Sequence, residues 1–319
     1  MSEITKIPEV VLSSSSGHRR MPMIGLGTAS DSRDESATKT AVIEAIKLGY
    51  RHFDTATLYG SEQALGEAMA EAIQLGLVSR EELFITTKLW CSDSHPHLVV
   101  STLKKSLGAL QLEYLDLYLV HFPVSAKPGK LEFPFDEEDL MPFDLKGVWT
   151  AMEECQNLGL TKSIGVSNFS SKKLQNLLSF ASISPSVNQV EMNPAWKQKK
   201  LTEFCKENGI IITAYSPLGA TGASWGTNDV VNNELLKQVA NARGKTVAQV
   251  SLRWVYEQGV TLVFKSYNKQ RLEQNLQIFD WSLTEDDYKK INQVNQRPWN
   301  KGPTKTPLDI WDGEYNIYE

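Results

Sequence analysis

The sequence has few cysteines, no excess of basic charge and no long hydrophobic run. Its 319 residues include only three scattered cysteines, Cys91, Cys155 and Cys205, which is too few for a disulfide framework or a metal site and indicates reduced thiols in a cytoplasmic protein. The net charge of −5 argues against nucleic acid or an anionic membrane as a partner. The longest apolar runs are strand-sized, and residues 1–12 lack the core of a signal peptide. We expect a cytoplasmic monomer that binds a small molecule.

What the chain does contain is a regular alternation of short apolar runs and longer helical patterns. Several short runs are apolar on both faces, as parallel strands are when helices cover each side of the sheet. Eight such runs, each followed by a helical pattern, predict a closed (β/α)8 TIM barrel, and their even spacing disfavours the alternative, an open doubly wound sheet. The predicted strands are 23–27, 52–54, 83–88, 115–121, 163–166, 187–192, 210–216 and 262–265.

Additional segments are expected around this barrel. Residues 10–12 and 19–21 predict a β-hairpin across the barrel floor, and 271–278 and 285–294 predict two extra helices. No linker divides the chain, so we predict one domain over residues 1–319. Long loops on the C-terminal face of a barrel usually build its active site. The candidate active-site loops are 122–144, 217–233 and 296–319.

Ionisable residues stand at the ends of three neighbouring predicted strands. Asp54 ends the second strand, Lys88 the third and His121 the fourth, while Tyr59 lies in the loop that follows Asp54. Because these strand ends meet at one face of a barrel, the four side chains should converge. A lysine at the end of a buried strand needs a partner, and Asp54 is the candidate. A purely structural salt bridge with a polar core around it is the simpler alternative, but four such residues at one barrel face favour a site.

The chemistry of these four residues suggests acid-assisted reduction. A neighbouring ammonium should lower the pKa of a phenol, and a phenol tuned in this way can donate a proton to an oxygen that gains negative charge. A histidine beside it can orient a carbonyl group. The sequence has no metal-ligand spacing and no activated serine or cysteine nucleophile. We therefore predict that Tyr59 is a general acid supported by Asp54, Lys88 and His121.

Seven motifs resemble those of the aldo-keto reductase family, and they occur in the same order along almost the whole chain. They are 49–56 (GYRHFDTA), 59–62 (YGSE), 87–90 (TKLW), 115–121 (LDLYLVH), 164–169 (IGVSNF), 188–191 (NQVE) and 215–219 (YSPLG). The resemblance implies a TIM barrel that reduces carbonyl groups with NADPH, and it gives the four residues the roles described above.

The resemblance also implies a set of cofactor contacts. Ser167, Asn168 and Gln189 would hold the nicotinamide carboxamide, and Tyr215 would stack on the ring, which an aromatic face can fix and shield from water. The loop with Ser216 and Leu218 would close over the pyrophosphate. Further residues expected on the cofactor side are Gly27, Thr28 and Asp54.

A basic and polar cluster follows the last predicted strand. Lysine, serine, asparagine and arginine around a helix start make an anion site, and in the family this cluster holds the adenosine 2′-phosphate, so NADPH should be preferred to NADH. The residues are Lys265, Ser266, Asn268, Arg271, Gln274 and Asn275.

Among subfamilies, the sequence is most similar to reductases of plant specialised metabolism. Residues 219–226 look more like those of alkaloid ketone reductases, such as those acting on tropane or morphinan ketones, while polyketide (chalcone-type) and sugar-acid (galacturonate) reductases are alternatives. The expected pocket is largely apolar and would accept an apolar substrate with one polar carbonyl. Its predicted lining residues are Ala29, Trp90, His121, Phe122 and Trp225.

Two functions of a different class are also compatible with a barrel of this kind. Barrels often carry a reactive lysine at a strand end, so Lys88 could form a Schiff base in an aldolase. A pairing with Asp54 would keep Lys88 protonated and argues against this. A non-catalytic subunit that senses NADPH is the other alternative, and the intact set of four polar residues disfavours it.

Overall fold

The computed structural model describes residues 6–13, 19–131, 134–224 and 226–297. Eight parallel strands form a closed barrel in which each strand pairs with the next and the last pairs with the first. The predicted TIM barrel is therefore confirmed. With the hairpin strands numbered in chain order, the barrel strands are β3 (Ile24–Gly27), β4 (His52–Asp54), β5 (Phe84–Leu89), β6 (Leu115–Val120), β9 (Thr161–Ser167), β10 (Val187–Glu191), β11 (Ile211–Tyr215) and β12 (Thr261–Phe264).

Ten α-helices lie in the described part of the chain, and they cover the outside of the barrel. They are α1 (Glu35–Leu48), α2 (Glu62–Gln74), α3 (Val99–Leu110), α4 (Leu145–Asn157), α5 (Ser171–Leu178), α6 (Lys199–Glu207), α7 (Glu234–Arg243), α8 (Val247–Glu257), α9 (Lys269–Asn275) and α10 (Glu285–Ile291). None of them is long and apolar enough to cross a membrane.

Two helices exceed the eightfold alternation, as predicted, and the two segments predicted as extra helices are present as α9 and α10. Both α7 and α8 lie between β11 and β12, and α9 and α10 follow the eighth strand. Only Gly244, Lys245 and Thr246 join α7 to α8, and Thr246 caps α8 through its side chain.

The barrel floor is closed by the predicted hairpin, β1 (Glu9–Leu12) paired antiparallel with β2 (Arg19–Pro22). Its buried side chains Leu12 and Met21 pack on Phe84 and Leu117 at the N-terminal ends of β5 and β6. Burial of apolar side chains from every side makes this end a packed core rather than an opening.

Two of the predicted active-site loops lie on the opposite face, at the C-terminal ends of the strands. The first contains a short hairpin, β7 (Ser125–Ala126) with β8 (Leu140–Met141). The second leads from β11 to α7, and its Ser224 donates through both its backbone N and its Oγ to the carboxylate of Asp31, at 2.8 and 3.0 Å. Most of the third predicted loop, 296–319, lies outside the described residues.

Candidate active site

The centre of the barrel mouth is a buried pair of opposite charges. Lys88 Nζ donates to Asp54 Oδ1 at 2.5 Å and to the backbone oxygen of Thr55 at 2.9 Å, and its side chain is fully buried. The second carboxylate oxygen, Asp54 Oδ2, accepts from Gln189 Nε2 at 2.8 Å. Three strands, β4, β5 and β10, thus converge on this carboxylate, and its hydrogen bonds offset the cost of burying the charges.

Tyr59 and His121 lie next to this pair. The Tyr59 hydroxyl is 3.5 Å from Lys88 Nζ and also 3.5 Å from His121 Nε2. The structure therefore brings the four predicted residues together, with the phenol between the ammonium of Lys88 and the imidazole of His121. Distances of 3.5 Å are long for hydrogen bonds and leave room for adjustment when a further oxygen binds.

Burial sets the protonation states at this site. It raises the pKa of Tyr59, and although the Lys88 charge acts to lower that pKa, Asp54 acts with burial to raise it. The net direction is opposite to the lowering that we predicted from Lys88 alone, because the sequence did not show how completely the phenol is buried. A phenol with a raised pKa is fully protonated near neutral pH and can act as a proton donor.

Lys88 and His121 are affected in opposite directions. Burial alone would lower the pKa of Lys88, but the charge of Asp54 more than compensates and raises it. The charged ammonium is a poor nucleophile, which argues against the Schiff-base aldolase alternative. Burial, and secondarily the Lys88 charge, holds the pKa of His121 well below its usual range. His121 is therefore a neutral imidazole whose buried Nδ1 has no hydrogen-bond partner among the residues that the structure describes.

An aromatic cluster surrounds the imidazole of His121. Phe122 stacks on it with ring centroids 5.1 Å apart, and Trp90 meets its edge at the same distance. Phe135 lies 5.7 Å from Trp90 in a tilted arrangement. Trp90, Phe122 and Phe135 are all buried, so together they form an apolar wall beside His121 rather than separate exposed surfaces. Ala29 is half-buried after β3, and Trp225 lies outside the described residues.

The residues predicted to hold the nicotinamide form a hydrogen-bonded row at the ends of β9, β10 and β11. Asn168 Nδ2 donates to the backbone oxygen of His121 at 3.0 Å, and Asn168 Oδ1 accepts from the Tyr215 hydroxyl at 2.7 Å. Ser167 Oγ donates to the backbone oxygen of Gln189 at 2.8 Å. The half-buried ring of Tyr215 is thus anchored through its hydroxyl at the barrel mouth, which fits a flat ring stacked on its face.

The remaining predicted cofactor residues lie on two neighbouring segments. Gly27 ends β3 and Thr28 follows it, with the Thr28 hydroxyl donating to the backbone oxygen of Asp54 at 3.1 Å. Ser216 and Leu218 are half-buried in the loop after β11, where Ser216 has a φ of +49°. Both segments border the mouth, consistent with a ligand that runs from its centre to its edge.

The basic cluster lies after β12 at the start of α9. Lys265 and Arg271 are exposed, and Asn268 caps the helix by accepting from the backbone N of Arg271 at 2.9 Å. Ser266, Gln274 and Asn275 are buried or half-buried beside them. Two exposed cations with a hydroxyl group nearby match the chemistry of a phosphate ligand.

Sequence reasoning missed two residues of this site. Phe135 covers Trp90 from within the long loop after β6, and Glu62 lies behind Lys88 with its carboxylate bonded to Thr87. An aromatic residue in a predicted active-site loop is a signal that could have indicated Phe135. Glu62 follows a predicted catalytic residue by three positions, but only the fold shows what it contacts.

Comparison with known proteins agrees with the family resemblance of the sequence motifs. A model of the Aldo/keto reductase family matches residues 23–296. An NAD(P)H-dependent 6'-deoxychalcone synthase of Glycine max is 63% identical over 98% of this chain and 100% of its own. The NADPH-dependent codeinone reductase 1-4 of Papaver somniferum is 54% identical over 97% and 99%. An aldo-keto reductase of Bombyx mori, solved in complex with NADP, superimposes with a TM-score of 0.83 at 36% identity and 97% coverage of each chain.

Proposed function

We propose that this chain, which belongs to the aldo/keto reductase family and is an NADPH-dependent oxidoreductase that reduces carbonyl groups, acts on a ketone of plant specialised metabolism. We propose in addition that Tyr59 is the general acid. One observation carries the residue assignment: the Tyr59 hydroxyl lies 3.5 Å from both Lys88 Nζ and His121 Nε2. A carbonyl oxygen beside that hydroxyl would meet a proton donor, a fixed positive charge and a neutral imidazole at once.

The proton step follows from the charges of these groups. When bound, NADPH would supply the hydride that the carbonyl carbon accepts. Tyr59 donates its proton to the carbonyl oxygen, and the Lys88 ammonium stabilises the phenolate that remains. Asp54 keeps Lys88 charged and in place. His121, being neutral, donates a hydrogen bond from Nε2 to the same oxygen and orients it.

The cofactor would lie along the row of residues at the mouth. Ser167, Asn168 and Gln189 are suited to bind the carboxamide, and the ring of Tyr215 to stack on the nicotinamide. Gly27 and Thr28 on one side and Ser216 and Leu218 on the other would border the pyrophosphate. The 2′-phosphate would be bound at the start of α9 by Lys265, Ser266, Asn268 and Arg271, with Gln274 and Asn275 nearby.

The substrate is proposed to be an apolar, ring-containing ketone. The wall of Trp90, Phe122 and Phe135 beside His121 would favour such a molecule. Residues 219–226 favoured an alkaloid ketone, a choice supported by the 54% identity to codeinone reductase. The higher identity of 63% to a 6'-deoxychalcone synthase favours the second candidate, a chalcone-type polyketide ketone.

A substrate panel would distinguish these candidates. We would measure NADPH consumption with alkaloid ketones, chalcone-type polyketides and sugar acids, and determine the configuration of each alcohol product. The proposal expects kcat/KM for a ring-containing ketone to exceed that for a sugar acid by at least about tenfold, since apolar contacts to a ring contribute more than 1.4 kcal/mol. A preference for sugar acids would refute the proposed substrate class while leaving the reaction type intact.

We also propose that the chain acts as a cytoplasmic monomer with one domain over residues 1–319. The three cysteines are buried and unpaired, as in a reducing compartment. Sedimentation equilibrium of the purified protein would test the monomer, for which the expected mass is 35.7 kDa.

A further inference from the structure

A buried carboxylate lies directly behind the catalytic lysine, on the outer side of the barrel wall. Glu62 is the first residue of α2, and its side chain lies between that helix and the barrel. Thr87 Oγ1 donates to Glu62 Oε1 at 2.6 Å. Burial raises the pKa of Glu62, while its bonds to Thr87 and Ser106 act to lower it. The proposed chemistry assigns no task to this carboxylate.

The position of the Glu62–Thr87 bond in the chain is informative. Glu62 follows Tyr59 by three residues, and Thr87 directly precedes Lys88. Because side chains alternate along a strand, Lys88 points into the barrel while Thr87 points to the helix layer. The bond therefore joins the segment that carries the phenol to the strand that carries the ammonium.

This segment has a second attachment to β5 on the other side of Tyr59. The backbone N of Thr55 donates to the backbone oxygen of Thr86 at 2.9 Å, and Lys88 Nζ donates to the backbone oxygen of Thr55 at the same distance. Between these points the segment meets β5 through two long contacts, Thr57 Oγ1 to the Lys88 backbone oxygen and the Tyr59 hydroxyl to Lys88 Nζ, both at 3.5 Å. Tyr59 is thus held between one anchor at Thr55 and another at Glu62.

We propose that Glu62 is a positioning residue for the reduction: through Thr87 it fixes the Tyr59 segment on β5 and so sets the distance from the Tyr59 hydroxyl to Lys88. This inference rests on the proposed role of Tyr59. Glu62 contacts neither the substrate space nor the reacting atoms. Its effect passes through the geometry of the backbone between residues 59 and 62.

The electrostatic surroundings give this geometry a measurable consequence. Tyr59 is faced by Lys88 of β5, Asp54 of β4 and His121 at the end of β6, and Glu62 is faced by Lys88 and by Tyr118 of β6. Of the charged groups around Tyr59, Lys88 is the one that lowers its pKa. If the Glu62 anchor is lost and the two groups separate, the pKa of Tyr59 should rise further.

The test compares Thr87→Val, which keeps the branched shape and removes the hydroxyl, with Thr87→Ser, which keeps the hydroxyl. For Thr87→Val we expect kcat to fall by about tenfold to a hundredfold, as for a misplacement of about 1 Å, with little change in the Kd of NADPH. In the protein without cofactor, the phenolate of Tyr59 is followed by its ultraviolet absorbance, and the signal of the same variant with Tyr59→Phe is subtracted. We expect the titration of Tyr59 measured in this way to shift to higher pH. Thr87→Ser should restore both properties.

A charge effect is separated from a geometric one by Glu62→Gln. The amide oxygen can still accept from Thr87, so we expect kcat and the phenolate titration to stay near those of the wild type. Glu62→Ala should behave like Thr87→Val, and Thr87→Ala provides the same loss if the valine variant does not fold. Thr102→Val is the matched control, because it removes another buried threonine–carboxyl bond, to Asp93, and should lower only the Tm.

The inference is wrong if Thr87→Val and Glu62→Ala lower the Tm yet keep both the wild-type kcat and the wild-type titration of Tyr59. It is also wrong if Glu62→Gln loses as much activity as Glu62→Ala, since the charge and not the position would then matter. Failure of the proposed function has a different signature: Tyr59→Phe would retain turnover, whatever the variants of Glu62 and Thr87 do.

Discussion

The two ends of the barrel each contain a buried aspartate, and they use it differently. At the floor, Asp116 accepts from Arg19 Nε at 2.7 Å, from Arg80 Nη2 at 2.9 Å and from the backbone N of Ile85 at 2.8 Å. At the mouth, Asp54 accepts from Lys88 and Gln189 at comparably short distances. At the floor, all the hydrogen bonds named here are short. At the mouth, Lys88 also contacts the Tyr59 hydroxyl, which in turn contacts His121, and both of these distances are 3.5 Å.

This difference separates a structural charge cluster at the floor from the proposed reactive cluster at the mouth. At the floor, the carboxylate oxygens are bonded to two cations and one amide, which ties the hairpin to the barrel. At the mouth, the ion pair has short hydrogen bonds but the phenol beside it has only long ones, and within the described part of the chain His121 Nδ1 has no partner. A rigid charge next to a loosely held proton donor is the arrangement expected where a reacting oxygen must enter.

Removal of one cation from each end of the barrel should show most clearly that the two clusters have different roles. Lys88→Met leaves Asp54 without its cation and Tyr59 without its neighbouring charge, so kcat should fall by about a hundredfold or more. Arg80→Met at the floor removes a cation from Asp116 while Arg19 remains, so it should lower stability and leave kcat near the wild-type value. Steady-state kinetics and urea unfolding of both variants measure the two effects. Equal losses of kcat in the two variants would remove the distinction between the ends.

The structural role of the floor predicts a large effect on stability. Asp116→Ala leaves Arg19 and Arg80 without their shared carboxylate, and we expect the free energy of unfolding to fall by about 3 kcal/mol. The Kd of NADPH should stay within about twofold, because the change lies at the far end of the barrel. Urea unfolding followed by tryptophan fluorescence tests the first expectation, and cofactor titration tests the second. A strong loss of NADPH binding in folded protein would contradict this account.

Removal of an exposed charge at the edge of the mouth should have a smaller effect than the changes above, and one limited to the binding of NADPH. Lys265→Ala removes a cation proposed to bind the 2′-phosphate, so the Kd of NADPH should rise about tenfold while that of NADH changes little. Lys269→Ala is a suitable control, because Lys269 is an exposed cation at the start of α9, four residues after Lys265, and pairs with Glu44. Fluorescence titration with both cofactors measures the selectivity. Equal weakening of NADPH and NADH would refute the proposed phosphate site.

Two buried histidines allow a comparison by pH. Burial lowers the pKa of His52, near the floor, to about 4, and holds that of His121, at the mouth, well below its usual range. Both are neutral in the folded protein. Below pH ~6.5 the unfolded chain binds protons at these histidines and the folded protein does not, so the free energy of unfolding decreases as the pH falls through this range. Each should contribute a slope of up to about 1.4 kcal/mol per pH unit between pH ~6 and the folded pKa. Urea unfolding at several pH values, with His52→Gln as the comparison, measures the slope, and a pH-independent stability would contradict it.

The fold could be predicted from the sequence because the strands are the most apolar segments of the chain. All eight predicted strands are present, with ends that differ by at most two residues. Helix ends are harder to predict: α1 begins at Glu35, where its first turn is polar and is defined by the cap that Asp34 provides rather than by an apolar pattern. The two extra helices predicted at 271–278 and 285–294 are present as α9 and α10, with ends that differ by up to three residues.

The sequence predicted which side chains meet at the barrel mouth but not the energetics of the proposed site. Asp54, Lys88 and His121 could be placed because strand ends meet at one face of a barrel. The direction of the Tyr59 pKa was wrong, since desolvation depends on surroundings such as the cluster with Trp90 and Phe135, which only the fold brings together. The bond from Thr87 to Glu62 could not be predicted for the same reason, because it joins a strand to a helix through side chains that no motif links.

The most direct test of the central claim is the reduction of a ketone by Tyr59→Phe. This variant removes the hydroxyl that lies between Lys88 and His121 and keeps the ring, so NADPH should bind with nearly the wild-type Kd while kcat falls by about a hundredfold or more. Tyr114→Phe, which removes a half-buried phenol just before β6 at the far end of the barrel, should retain wild-type kcat. Wild-type turnover by Tyr59→Phe with normal NADPH binding would contradict the account.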